Sequence, residues 1–174
     1  PQELDLTTRQ LYLAGTSTQL QPGDAILIIG DERTGFAGAE EWDFRILERV
    51  EPDADADRTL IAWSPALGTT TPTTVFPSQD GTRLYALRQR AALFGHNAPD
   101  PRILGAAKPL PDDLADGAQW CDFELDPNQI DLDVVYPKVV AGSWIVLASP
   151  TYSEVSRVNA VTSVSRVDFA LSGK

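Results

Sequence analysis

Pro22-Gly23-Asp24-Ala25-Ile26-Leu27-Ile28 and, far downstream, Ala141-Gly142-Ser143-Trp144-Ile145-Val146-Leu147 are two versions of one pattern, a Gly turn that runs straight into an apolar strand. A short apolar-Asp-apolar piece precedes each, Leu4-Asp5-Leu6 in the first copy and Ile130-Asp131-Leu132 in the second. A mixed strand comes after each, with Arg beside an aliphatic residue, Arg45-Ile46 and Arg157-Val158. An internal repeat constrains the whole architecture, and two copies are too few for a solenoid. The reading is therefore a mainly β fold in a single domain, residues 1–174. Two pseudo-repeated strand units, 4–63 and 130–172, form a β-barrel or sandwich, and a long irregular connection, 64–126, joins them.

On either side of the first Gly turn the strand signals continue. Leu11-Tyr12-Leu13 has strand character, and Ala25 to Ile29 is apolar throughout, as in a strand buried on both faces. Gly30 to Gly38 holds three glycines and reads as a loop. Trp42, Phe44, Ile46 and Val50 alternate with polar residues, the period of a half-buried strand. Pro52 to Asp57 is the hairpin connection to a return strand at Thr59 to Trp63. Ser64 to Ser78, rich in Thr and Pro, reads as an extended surface segment. Asp80-Gly81 signals a tight turn before a strand over Leu84 to Leu93. Phe94 to Asp126 is a long excursion, of the kind that is functional or covers something. Trp144 to Ala148, Ser153 to Val164 and Val167 to Leu171 are the later strands. Ile26, Ile28, Phe44, Ile46, Ile61, Trp144, Val146, Val158 and Phe169 are expected to point inward.

With 14 Lys and Arg against 25 Asp and Glu, the net charge is −11. That field repels phosphate, so a nucleic-acid partner is not expected. No stretch is long enough for a membrane span. Cys121 is the lone cysteine, which excludes an internal disulfide and suits a reducing compartment. The chain contains no Met, and the expectation is a piece of a longer polypeptide.

The chemistry-bearing residues are sparse. Asp53, Asp55 and Asp57 alternate as calcium-loop ligands do, but the pattern then needs Gly and Glu where Arg58 and Ser64 stand. They read as a solvated hairpin tip. His96 and Cys121 are too few for a zinc site. His96, between the turn formers Gly95 and Asn97, reads as a loop histidine bonding nearby backbone. No Gly-x-Ser-x-Gly elbow or phosphate-binding glycine pattern occurs. No catalytic residue, metal site or cofactor is assigned. Trp42, Trp63, Trp120 and Trp144 could stack on sugar, but three lie among apolar strand neighbours and suit a core.

Phe94-Gly95-His96-Asn97-Ala98-Pro99, Ile130-Asp131-Leu132-Asp133-Val134-Val135-Tyr136-Pro137-Lys138, Gly142-Ser143-Trp144-Ile145-Val146-Leu147 and Ser165-Arg166-Val167-Asp168-Phe169-Ala170-Leu171-Ser172 occur in that order. Together they resemble the large baseplate assembly protein of phage-tail-like contractile injection systems. Leu4 to Trp63 looks like an earlier portion of the same protein. The likeness is thinnest over 69–81 and 102–120. It implies a structural domain that holds neighbouring subunits without catalysis. Its partners would be other baseplate or tail proteins and the remainder of its own longer chain. Its place would be the bacterial cytoplasm during assembly and then the tail-like particle. Loops on rigid scaffolds carry binding. The candidate contacts are therefore Arg33 and Phe36 in one loop, and Phe94, His96, Asn97 and Arg102 in another. Two alternatives remain open. One is a carbohydrate-binding or glycan-hydrolysing domain of such a particle; the other is a module that binds peptides along an exposed strand edge.

Overall fold

In the computed structural model, the described residues are 2–97, 128–149 and 152–163. The chain divides into two compact units, one of Pro1–Arg88 with Val140–Ala160, the other of Gln89–Val139 with Val161–Lys174. Among the described residues, all the regular elements lie in the first unit. They are β1 (Gln10–Ala14), β2 (Ala25–Ile29), the one-turn helix α1 (Asp31–Gly35), β3 (Trp42–Asp53), β4 (Arg58–Trp63), β5 (Arg83–Leu87), β6 (Trp144–Ala148) and β7 (Ser153–Arg157). The fold is mainly β, as the alternation predicts. Among the described residues no helix is long and apolar enough to cross a membrane.

Five strands make one antiparallel sheet in the order β1-β4-β3-β2-β5, curled into a half-barrel, and β6 pairs with β7 in a separate ribbon. Within the sheet β2 is paired with β3 on one side and β5 on the other. Its even-numbered side chains, Ile26 and Ile28, point into the curl and pack with Leu47, Ile61, Trp63 and Leu67. Its odd-numbered ones, Leu27 and Ile29, point outward and pack with Val155, Trp42, Trp144 and Val146. Burial on both faces is what the unbroken apolar run predicts. Each such side chain contributes about 1.5–3 kcal/mol of transfer free energy.

Local turn chemistry fixes the repeat. Gly23 has φ 93° and Gly142 φ 85°, the left-handed region where side chains are strained. Gly23 N–H donates to Leu47 O and Gly142 N–H to Val158 O, each at 2.7 Å. Leu47 N–H returns to Asp24 O and Val158 N–H to Ser143 O, each at 2.9 Å. The same four-atom clasp therefore starts the β2–β3 pair and the β6–β7 pair.

Several expectations need correction. Leu4-Asp5-Leu6 is not a strand, because the Asp5 carboxylate accepts from Thr7 N–H, Thr7 Oγ1 and Thr8 Oγ1 and folds the chain into a turn. Its partner in the repeat, Ile130-Asp131-Leu132, contributes only an isolated bridge from Leu132 to Leu93. The loop expected over Gly30 to Gly38 contains α1. The strand expected over Leu84 to Leu93 stops at Leu87, opposite Ala25, because the Gly23 turn leaves β2 nothing further to offer. The strand expected over Ser153 to Val164 stops at Arg157 for the matching reason, the Gly142 turn. The Thr- and Pro-rich segment is not wholly superficial, since Leu67, Pro77 and Ser78 are fully buried. Of the residues expected inward, Ile26, Ile28 and Ile61 are buried, while Phe44, Trp144, Val146 and Val158 are half-buried. Ile46 is 41% exposed, because it sits opposite Ala25 at the end of the β2–β3 pair, past the cluster around Val155. Phe169 and the strand expected over Val167 to Leu171 lie outside the described residues, as do Trp120 and Cys121.

Candidate interaction site

The curl leaves β1 and β5 as the two edges of the sheet, and a cavity of about 400 Å³ lies between them. Leu11 and Leu13 of β1, Ile28 of β2 and Leu84 of β5 supply its apolar wall, and Gln2, Glu3, Gln79, Thr82 and Arg83 stand at its polar rim. The cavity is the open seam of a barrel that stops short of closure.

Hydrogen-bond parity shows which backbone groups face the seam. In an antiparallel pair each residue sends its N–H and C=O to the same side. Trp63 N–H donates to Arg9 O at 3.0 Å and Gly15 N–H to Asp57 O at 2.8 Å, so the odd-numbered residues of β1 bond β4. Gln10, Tyr12 and Ala14 turn their peptide groups the other way. On the opposite rim, Leu47 N–H to Asp24 O assigns even-numbered β2 residues to β3, and Ala25, Leu27 and Ile29 bond β5. Leu84 and Ala86 of β5 therefore face outward.

Among the described residues, one partners the β1 edge. Gln2 Nε2 donates to Tyr12 O at 2.8 Å, and Tyr12 N–H donates to Gln2 Oε1 at 2.9 Å. A side-chain amide thus makes the two bonds that a residue of a sixth strand would make. Two residues on, Leu4 packs against the core inside the curl. Leu4 O accepts from Gln79 Nε2 at 3.0 Å. Residues 2–4 are a strap from the β1 edge to the turn before β5.

That turn is built around a carboxylate. Glu32 Oε1 accepts from Gln79 N–H at 2.8 Å and Asp80 N–H at 3.0 Å, and Oε2 accepts from Ser78 Oγ at 3.0 Å. Partial burial raises the pKa of Glu32, but these donors outweigh it and the net shift is downward. Arg83 pairs with Asp31 at 3.1 Å across the same rim. At the far end of the sheet Arg88 bonds Gln19 O at 2.8 Å and reaches Asp24 at 3.3 Å. Both ends of the β5 rim are thereby pinned.

A second polar node lies under the sheet. Asp43 is 3% exposed; its Oδ1 meets Arg45 Nη2 at 2.7 Å and the Gly68 N–H at 2.8 Å. Arg45 also donates to Ala66 O at 2.6 Å and Pro65 O at 3.2 Å, tying the segment after β4 onto β3. Burial pushes the Asp43 carboxyl up, and Arg45 and Gly68 offset part of that rise.

The candidate contact residues of the sequence fall in both units. Arg33 in the first unit is turned inward. Its Nη1 donates to Ala39 O at 2.8 Å and its Nη2 to Val155 O at 2.7 Å, a carbonyl that β7 directs away from β6. It covers a strand edge. Phe36, beside it, is 69% exposed. In the second unit Phe94 N–H bonds Asp131 O at 2.8 Å. His96 is exposed, with Nδ1 3.2 Å from Leu93 O, and Asn97 is exposed next to it. Arg102 lies outside the described residues. At the acidic hairpin tip Asp53 accepts from Arg58 Nε at 3.0 Å and Ala56 N–H at 3.2 Å, as a turn carboxylate does.

The seam leaves one faint signal in the sequence. That signal is Gln10-Leu11-Tyr12-Leu13-Ala14, a strand with no charge or Pro to protect an edge. No protein-family model, curated protein or solved structure matches the chain.

Proposed function

We propose that this chain is a non-catalytic interaction domain, of the kind that holds neighbouring subunits in the baseplate of a contractile, phage-tail-like particle. The observation that carries the interaction role is the uncharged β1 edge beside an apolar cavity, on a sheet whose β5 rim is pinned at both ends. Rigid frames with one unpaired edge hold other chains by main-chain pairing and side-chain pockets. The resemblance of the Phe94, Ile130 and Gly142 segments supplies the baseplate as the setting. The glycan-binding alternative needs exposed tryptophans. Trp63 is 2% exposed, and Trp42 and Trp144 pack on the cluster around Val155.

The test is incorporation. The tagged chain is expressed in cells that assemble contractile particles, and the tag is located by electron microscopy. Density at the baseplate end supports the reading; particles that form complete and carry no tag contradict it.

A further inference from the structure

We infer that the seam between β1 and β5 accepts an extended peptide segment of a partner protein, which displaces the Gln2–Leu4 strap and pairs with β1. The inference rests on the interaction reading above and names its site and the chemistry of its partner.

The strap is the argument. Gln2 reproduces with one side chain the pair of hydrogen bonds that a strand residue gives an edge residue, and it does so at Tyr12, the centre of β1. Gln10 and Ala14, two residues to either side, present the same outward peptide groups and take nothing from the strap. A true strand bonds all three, so it outcompetes a single carboxamide. Leu4 shows what the interior takes: an apolar side chain laid on the core, and the cavity beyond it is walled by Leu11, Leu13, Ile28 and Leu84. An incoming strand points alternate side chains into that space. Two apolar residues spaced by one fit it.

Charge completes the description. Arg83, the cation at the rim, is already matched by Asp31. The chain as a whole is acidic by 11 charges. The partner segment therefore carries Lys or Arg beside its apolar pair.

The probe is an acetylated seven-residue peptide that alternates valine and threonine between terminal lysines, titrated against the full chain and read by fluorescence anisotropy. Gln2→Ala removes the competitor and tightens binding about tenfold. A glutamate-ended peptide of the same pattern binds more weakly than the lysine-ended one, as the acidic chain requires. Tyr12→Pro abolishes binding yet keeps the fold, since the Tyr12 N–H points away from β4 and an edge tolerates Pro; a single cooperative melting transition, lowered only modestly by the loss of the Gln2 bond and the Arg58 ring contact, verifies that. Binding that survives Tyr12→Pro overturns the inference. So does the absence of saturation with both wild type and Gln2→Ala. Concentration-dependent dimerisation of Gln2→Ala without peptide binding also overturns it and assigns the edge to a second copy. Full incorporation of Tyr12→Pro into particles overturns the seam while leaving the baseplate reading in place.

Discussion

Gly23 and Gly142 do the same work in the two copies of the repeat: each turns left-handed, each sends its N–H to a carbonyl 2.7 Å away, and each launches a five-residue apolar strand. The strands they launch have different surroundings. In the early copy β2 is paired on both edges and buried on both faces. In the late copy β6 is paired with β7 and its side chains are only half-buried. The carbonyl of Val155 that β7 turns away is covered by the Arg33 guanidinium. One local device therefore serves two energetic roles. The early copy is the frame, and the late copy is a cover for its outer face. Identical turn chemistry sets where a strand starts, and the number of neighbours sets what the strand is worth.

The largest separation between copies lies at the matched arginines. Arg45→Ala leaves Asp43 as a buried, uncompensated charge and costs about 3–5 kcal/mol. Arg157→Ala removes a cation held 5.6 Å from the Trp144 ring centroid. That change costs about 0.5–1 kcal/mol, as exposed cation–π contacts do. Urea unfolding of the two variants measures both, and equal losses would break the frame-and-cover distinction. Truncation of matched core residues comes next. Ile28→Ala costs about 2–5 kcal/mol for a fully buried site. Val146→Ala costs about 1 kcal/mol, because less of its surface is withdrawn from water.

The clasp itself predicts a likeness. A Cβ at Gly23 or Gly142 meets nothing within 4 Å, so only the left-handed backbone is strained. Gly23→Ala and Gly142→Ala each cost about 1 kcal/mol, and a difference of more than twofold would show the two turns to be unlike. The smallest effect is pH-dependent and belongs to the early copy. The folded state holds Glu32 below its ordinary value, so its contribution is complete above that value and is lost as the pH falls below about 4.5. Asp43, pushed upward, has the opposite sign: ionising it as the pH rises weakens the fold. The urea midpoints of wild type and Glu32→Gln differ at pH 7, with wild type higher, and converge near pH 3; those of wild type and Asp43→Asn also draw together as the pH falls, from the opposite side.

The frame is legible in the sequence because its signals are local. The apolar run at Ala25 to Ile29 gives a strand buried twice, and the Gly turns give the repeat. The alternation around Trp42 picks out the strand but not the weight of its two faces, because Asp43 and Arg45 bury as a pair and a hydropathy pattern counts both as solvent-facing. Leu4-Asp5-Leu6 misleads for a similar reason: a carboxylate that bonds its own backbone two and three residues on overrides apolar neighbours. Beyond the uncharged Gln10–Ala14 stretch the seam is illegible, because it depends on how far the sheet curls, and curl is a sum over all strands. Arg33 reads as a contact residue by its loop position, yet its partners are backbone carbonyls more than a hundred residues away in one case.

The central claim is a strand edge on a rigid sheet that, among the described residues, pairs with no strand and is covered by one side chain. Amide hydrogen exchange at Tyr12 tests it most directly, comparing wild type with Gln2→Ala. The account predicts that the Tyr12 amide exchanges slowly in wild type and rapidly in the variant, while Leu11 and Leu13, bonded to β4, stay slow in both. Continued protection of Tyr12 in Gln2→Ala would mean that another strand already occupies the edge, and the seam would not exist.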